Sequence, residues 1–361
     1  MTKTDRAFLH ELLSTPSPTG FEMPGQRVWA RHVGKVADSV DCDAYGNAWA
    51  VLNGSGEGGG RRVMIAAHAD EIGYMIKHVT DKGFLHLDRI GGSDSATARG
   101  RRIDLLGDKG VVRGIIGNTA IHLRENRDDE KAPKIHELYV DVGASNAKEV
   151  AELGLRPGHA AVYTDTVEDL GDHRVCGRAL DNRVGGFILA LVMAKLAGGR
   201  KRCPATMIAL NTVQEEIGGH GAKMATHRLQ PDVAICIDVT HATDTPGIEH
   251  AKHGKVELGA GPSVTHGTSS HPLVVERIVK VAAKRKIPLQ HESSSRFSGT
   301  DTDEIFKVRH GVPSGLVSLP LRYMHSVVET ADLRDLEHMV DLLAGFVQSI
   351  TDHEEFRQRL D

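Results

Sequence analysis

Four apolar runs lead into segments that carry imidazoles or carboxylates, and one further carboxylate opens a helical pattern. Val63–Ala67 leads into His68-Ala69-Asp70-Glu71, Met207–Val213 into Gln214-Glu215-Glu216, and Val233–Ile237 into Asp238. Leu316–Leu319 leads into the run from Pro320 to His325, and Asp181 sits where Gly177-Arg-Ala-Leu-Asp-Asn182 enters a helical pattern. Carboxylates gathered at such density repel one another, and divalent cations relieve the repulsion. Borderline ions such as Zn²⁺ accept mixed nitrogen and oxygen ligands. The set divides into two sites, each with one His and one terminal carboxylate, joined by a bridging Asp. Two divalent ions and three ligand carboxylates nearly cancel, and a bridging hydroxide completes the balance. Ions ~3.5–4 Å apart can polarise a carbonyl while sharing an activated water.

Convergence requires that the apolar runs be neighbouring strands of one sheet, because open α/β sheets bind ligands beyond the carboxyl ends of their strands. The periodicity supports this. Residues 4–13 read as an amphipathic helix capped by Thr4 or Asp5, with Phe8, Leu9, Leu12 and Leu13 on one face. Asn47–Leu52, 62–67, Thr206–Val213, Asp232–Ile237 and Gly315–Leu319 read as strands; Val184–Leu196, Pro272–Lys284 and Leu333–Ile350 read as helices. Buried apolar strands between helices predict an α/β fold, a mostly parallel sheet flanked by helices on both faces. The stretch from Asp70 to Thr164 differs. Short alternating segments separated by turns such as Asp81-Lys82-Gly83 predict a small inserted β domain, with helical periodicity nearly absent. Residues 1–69 and 165–361 would then form one discontinuous catalytic domain around a β-barrel-like insert at 70–164.

The 361 residues carry a formal charge of −4, so nothing suggests phosphate-driven binding to nucleic acid. No apolar run approaches the ~20 residues of a membrane span, and the first residues lack the apolar core of a signal peptide. Four scattered cysteines without a CxxC fit reduced thiols and a cytoplasmic setting. The run from Gly54 to Gly60 formally matches GxGxxG, but a strand follows it rather than a helix, so it reads as a flexible hairpin loop. No GxSxG, P-loop or HExxH is present.

His68-Ala-Asp-Glu-Ile-Gly73, Arg178-Ala-Leu-Asp-Asn-Arg-Val-Gly185, Thr212-Val-Gln-Glu-Glu-Ile-Gly218, the run from Ile237 to Pro246, and Arg322-Tyr-Met-His-Ser326 occur in that order. Together they resemble the dinuclear metalloaminopeptidases that include bacterial glutamyl aminopeptidase and the tetrahedral aminopeptidases. The resemblance spans nearly the whole chain. It implies two divalent ions per subunit, Zn²⁺ first and Co²⁺ or Mn²⁺ as alternatives, short peptide substrates, and a hollow homo-oligomeric dodecamer built from dimers, with the insert serving oligomerisation. By resemblance His68 and His325 ligate one metal each, Asp181 bridges, Glu216 and Asp238 are terminal ligands, Glu215 is the general base, and Asp70 orients His68. Adjacent residues of extended backbone point apart, which allows Glu216 to bind metal while Glu215 faces the water. Arg296, Thr300, Asp301 and Arg322 are the candidates for substrate contact.

Two departures bear on specificity. Asp303 and Glu304 follow the Gly299-Thr-Asp301 segment, where small residues are usual; in the pocket wall they would disfavour an acidic first side chain, with Arg296 in partial compensation. Gly218-Gly-His-Gly221 replaces a commoner bulky and basic pair. His241 and Asp244 either stand behind the ligands or are ordinary loop residues, and Cys236 reads as an inert core thiol. Rival readings are a metallo-amidohydrolase acting on an N-blocked or amidated dipeptide, a glycosidase, and a non-catalytic peptide-binding shell.

Overall fold

Side chains alternate across a strand, so strands whose every position is apolar need cover on both faces. This computed structural model describes residues 1–123 and 131–360. After two helices the strands begin with β1 (Ser39–Cys42), β2 (Ala48–Leu52) and β3 (Arg62–His68). It continues through β4 (Gly73–Val79), β5 (Leu85–Ile90), β6 (Arg102–Gly107), β7 (Gly110–Gly117), β8 (Tyr139–Asp141) and β9 (Ala160–Tyr163). After β10 (Glu168–Leu170) and β11 (Arg174–Gly177) come β12 (Thr206–Thr212), β13 (Val233–His241), β14 (Ser263–Gly267), β15 (Gln290–Ser294), β16 (Ser314–Leu321) and β17 (Glu329–Asp332).

One mixed sheet runs in the order β1-β2-β12-β3-β13-β16-β14-β15. Its centre, β12-β3-β13-β16, is parallel, and antiparallel pairs flank it. The alternation is visible in the core. Val63, Ile65, Ala67, Ile235 and Ile237 pack on one face with α1 (Lys3–Ser14), α2 (Met23–Val33) and a helix buried nearly all round, Leu180–Ala197. Met64, Ala66, Ile208, Ala234 and Cys236 pack on the other face, against the helix His220–Leu229.

Strands β4 to β9 close into a barrel in the order β4-β5-β8-β7-β6-β9, with Tyr74, Ile76, Leu85, Leu87, Ile103 and Leu105 in its core. The turns at Lys82-Gly83 and Asp108-Lys109 close hairpins, as the alternation anticipates. A short α-helix, Ala147–Glu152, and a few single 3-10 turns interrupt the β pattern among the described residues. A small third sheet joins β10, β11 and β17.

Three local expectations are corrected. Thr2, not Thr4 or Asp5, caps α1: its hydroxyl accepts the Asp5 N–H at 3.1 Å while the Asp5 carboxylate accepts the Thr2 N–H at 2.8 Å, a reciprocal box. The glycine run 54–60 closes no hairpin, because β12 lies between β2 and β3. It is also tied down, with Ser55 and Gly56 donating N–H groups to the carbonyls of Cys203 and Pro204. Finally, β13 continues to His241, so Asp238 lies inside a strand rather than beyond its end. No helix among the described residues is long and apolar enough to cross a membrane.

Candidate metal centre

Register in the parallel core decides which side chains meet. His68, the last residue of β3, pairs with Thr212, the last residue of β12, which places Glu215 and Glu216 on the turn beside it. Gln214 opens that turn with φ 59°, in the left-handed region. Asp238 lies on β13, immediately on the other side of β3. Beyond β16 the chain makes a tight turn in which Tyr323 and His325 are also left-handed, with φ of 60° and 62°. Asp181 enters from the helix Leu180–Ala197 behind the left-handed Ala179, and the Asp181–Asn182 peptide is cis.

The result is two triads sharing one residue. Asp181 Oδ1 lies 3.2 Å from His68 Nε2, and Asp181 Oδ2 lies 3.3 Å from His325 Nε2. Asp238 Oδ1 stands 3.8 Å from His68 Nε2, and Glu216 Oε2 stands 3.5 Å from His325 Nε2. Within each of His68-Asp181-Asp238 and Asp181-Glu216-His325, one nitrogen or oxygen per residue lies within 4.8 Å of the others. Glu215 belongs to neither triad; its Oε2 is 3.8 Å from His68 Nε2.

These groups lie mostly in a low-dielectric interior. Burial pushes Glu215 and Glu216 well above the usual carboxylate range, with neighbouring carboxylates adding to the shift. Burial raises Asp238 to about 8, opposed by His68 and reinforced by Asp181. Asp181 moves the other way: burial would raise it, but hydrogen bonds from His325 and His68 outweigh that and hold it below its ordinary value. His68 rises despite its burial because Asp181, Asp70, Glu215 and Asp238 surround it. Four neighbouring acidic groups, three of them pushed toward neutrality, with imidazoles aimed at the gaps between them, form a donor set that fits divalent cations.

Buried polar groups hold this set in place. Asp70 accepts the N–H groups of Glu215 and Glu216 at 3.1 and 3.2 Å and the Thr19 hydroxyl at 2.9 Å. Its carboxylate is 3.5 Å from His68 Nδ1, whereas its main-chain carbonyl is nearer, at 3.1 Å. Asp301 is buried, accepts the Thr212 hydroxyl at 2.5 Å, and is raised to about 6, chiefly by burial. Glu71 accepts hydrogen bonds from the buried Arg178 and Arg183 behind the site.

A cleft of about 660 Å³ opens over both triads and over Phe297, Thr300 and Met324. A larger cavity, about 990 Å³, lies at the opposite sheet edge beside Val233 and Ser314 and contains none of the triad residues. Of the candidates for substrate contact, Thr300 lines the cleft and Asp301 lies buried beneath it. Arg322 turns away into a two-point ion pair with Asp244, both contacts 2.7 Å, which also accounts for Asp244. Arg296 is absent from the cleft wall, and its carbonyl accepts the Thr268 hydroxyl. His241 lines the cleft. Asp303 and Glu304 reach the wall already engaged: Asp303 accepts the N–H groups of Ser298 and Gly299, and Glu304 pairs with Lys307 at 2.6 Å.

Sequence reasoning missed Glu329, Glu22 and Thr19. Glu329 carried one signal, a lone acid in the apolar stretch Val327–Ala331. Glu22 and Thr19 carried none, since each is an ordinary turn residue until the fold buries it.

The family model described as M42 glutamyl aminopeptidase matches residues 46–342. A lysyl aminopeptidase of Pyrococcus furiosus is 34% identical over 351 residues, covering 96% of this chain and 97% of that enzyme. An aminopeptidase structure from the archaeon Desulfurococcus kamchatkensis superposes with a TM-score of 0.89 at 34% identity, over 97% of both chains. The TET1 peptidase of Pyrococcus horikoshii, described as assembling into a tetrahedron or a large octahedral shell, superposes with a TM-score of 0.84 at 29% identity, over 96% of this chain and 99% of that one. With the ordered motifs, the mixed sheet and the inserted barrel in agreement, the chain belongs to the M42 glutamyl aminopeptidase family and is a peptide-bond hydrolase.

Proposed function

We propose that this aminopeptidase removes the N-terminal residue of short peptides at a dinuclear centre. The reading is carried by one observation: the two oxygens of Asp181 each face a different histidine, and each histidine has a further carboxylate beside it. His68, Asp181 and Asp238 would hold one cation; Asp181, Glu216 and His325 would hold the other. Zn²⁺ suits the mixed donors, with Co²⁺ and Mn²⁺ as alternatives. When bound, the pair supplies Lewis acidity toward a carbonyl and toward water.

The chain's own groups do the rest. Glu215 faces the cleft outside both triads, where its carboxylate takes a proton from water and delivers it to the leaving amine. Asp70 holds the Glu215-Glu216 turn by both main-chain N–H groups and, through its carbonyl, sets the His68 ring. Thr300 meets the substrate. Asp303 and Glu304 are already engaged by turn N–H groups and by Lys307, so the wall offers no uncommitted acidic pair to select a basic side chain.

Residues 1–69 and 165–361 act as the catalytic unit and 70–164 as an assembly unit of a cytoplasmic homo-oligomer, a dodecamer by analogy with a similar TET1 structure described as one. The outward Val111 and Ile115 of β7, each more than half exposed, and the four free cysteines support that reading. The test is Glu215→Gln. It should keep the wild-type metal content and lose 10²–10⁴-fold in turnover of a free-amine aminoacyl anilide. Wild-type turnover by this variant removes the base assignment. Cleavage by the wild-type protein of the N-acetylated anilide in preference to the free amine removes the aminopeptidase reading.

A further inference from the structure

Behind the cleft, one carboxylate joins the two halves of the site. Glu329 opens β17, where it pairs with Gly177, the last residue of β11; the Asp181 helix begins shortly afterwards, at Leu180. It is 2% exposed. Its Oε2 accepts the Asp181 main-chain N–H at 3.1 Å, and its Oε1 accepts the His325 main-chain N–H at 2.8 Å. The two oxygens of a carboxylate are rigidly spaced, so the two main-chain groups are held at a set separation. The side chains of those same residues meet on the cleft side, Asp181 Oδ2 to His325 Nε2 at 3.3 Å. His325 also carries a left-handed backbone, which a non-glycine residue keeps only where its surroundings impose it.

We propose that Glu329 is a positioning residue for the metal centre: by accepting both N–H groups it sets the distance at which the Asp181 and His325 side chains present their donors to a cation. The inference rests on the dinuclear reading above. Both acceptor oxygens are needed. The amide of Gln places an NH₂ against one of the two N–H donors, and Asp keeps the pair of oxygens but, one methylene shorter, withdraws them from both donors.

The experiment titrates Co²⁺ into metal-free wild-type protein, Glu329→Gln and Glu329→Asp, following the visible absorption of bound cobalt, with circular dichroism and apo-state thermal unfolding alongside. Both variants should fold, bind cobalt 10–100-fold more weakly and show an altered cobalt spectrum. A role confined to stability would lower the apo-state melting point and leave affinity and spectrum unchanged. Either variant folding and binding cobalt with wild-type affinity and spectrum overturns the proposal. So does failure of both to fold, which makes the carboxylate a requirement of the fold. Absence of cobalt binding by the wild-type protein is a separate result and overturns the metal reading itself.

Discussion

Replacing Gly92 by Ala tests whether the inserted barrel shapes the site it overhangs. Gly92 follows β5 and lines the cleft against the His325 ring. A Cβ at position 92 would lie 2.4 Å from His325 Nδ1, where ordinary contact begins at 3.4 Å. The imidazole must therefore retreat by about 1 Å, or the barrel loop must lift by as much. Gly92 has no left-handed backbone to lose, so the substitution acts through this contact. A displacement of ~1 Å in a catalytic constellation costs on the order of 100-fold, equivalent to about 2.7 kcal/mol in the barrier. Steady-state kinetics on an aminoacyl anilide should show that fall in kcat/KM. Metal analysis should show loss from the triad containing His325, with the His68-Asp181-Asp238 triad retained. A Gly92→Ala protein with wild-type kcat/KM and full metal content would falsify the contact argument.

Asp181→Ala should reduce metal content at both positions, since its oxygens serve both triads; full occupancy by elemental analysis excludes the bridging role. Glu71→Ala leaves the buried Arg178 and Arg183 without their shared carboxylate, which should destabilise the fold by about 3–5 kcal/mol in urea unfolding. Glu22 is raised by burial from 4.5 to about 7. The native state thus holds a proton that the unfolded chain releases, and stability contributed by the neutral acid falls as pH rises from 4.5 through 7. Glu22→Gln keeps the acceptor for Gly20 and Gln214 without the charge. Its unfolding free energy should match wild type near pH 4.5 and exceed it above pH 7 by about 3 kcal/mol, read by urea unfolding; parallel curves across that range contradict the assignment.

The ligand-bearing segments were legible because each is a short-range pattern: an imidazole or carboxylate within a few residues of an apolar strand, or, for Asp181, at the entry to a helical pattern. Core strands were legible for the same reason, as in Met207–Val213, where every residue must be covered. The reading failed where the partner is distant. Nothing near the glycine run 54–60 reveals that β12, much later in the chain, separates β2 from β3. Nothing in Arg322 announces Asp244 as its partner rather than a substrate, and the acidity of Asp303 and Glu304 does not disclose that turn N–H groups and Lys307 already engage them.

The amino-acid sequence by itself determined which chemistry is available, because donor type and strand-end position are properties of individual segments. Only the tertiary structure decided the arrangement: that Asp181 offers one oxygen to each histidine, that Glu215 stands outside both triads, and that Glu329 and Gly92 confine His325. These depend on parallel register, which brings His68 beside Thr212, and on left-handed turns stabilised by groups far away in the chain. Such separations are set by the summed packing of the sheet, and no local pattern encodes them.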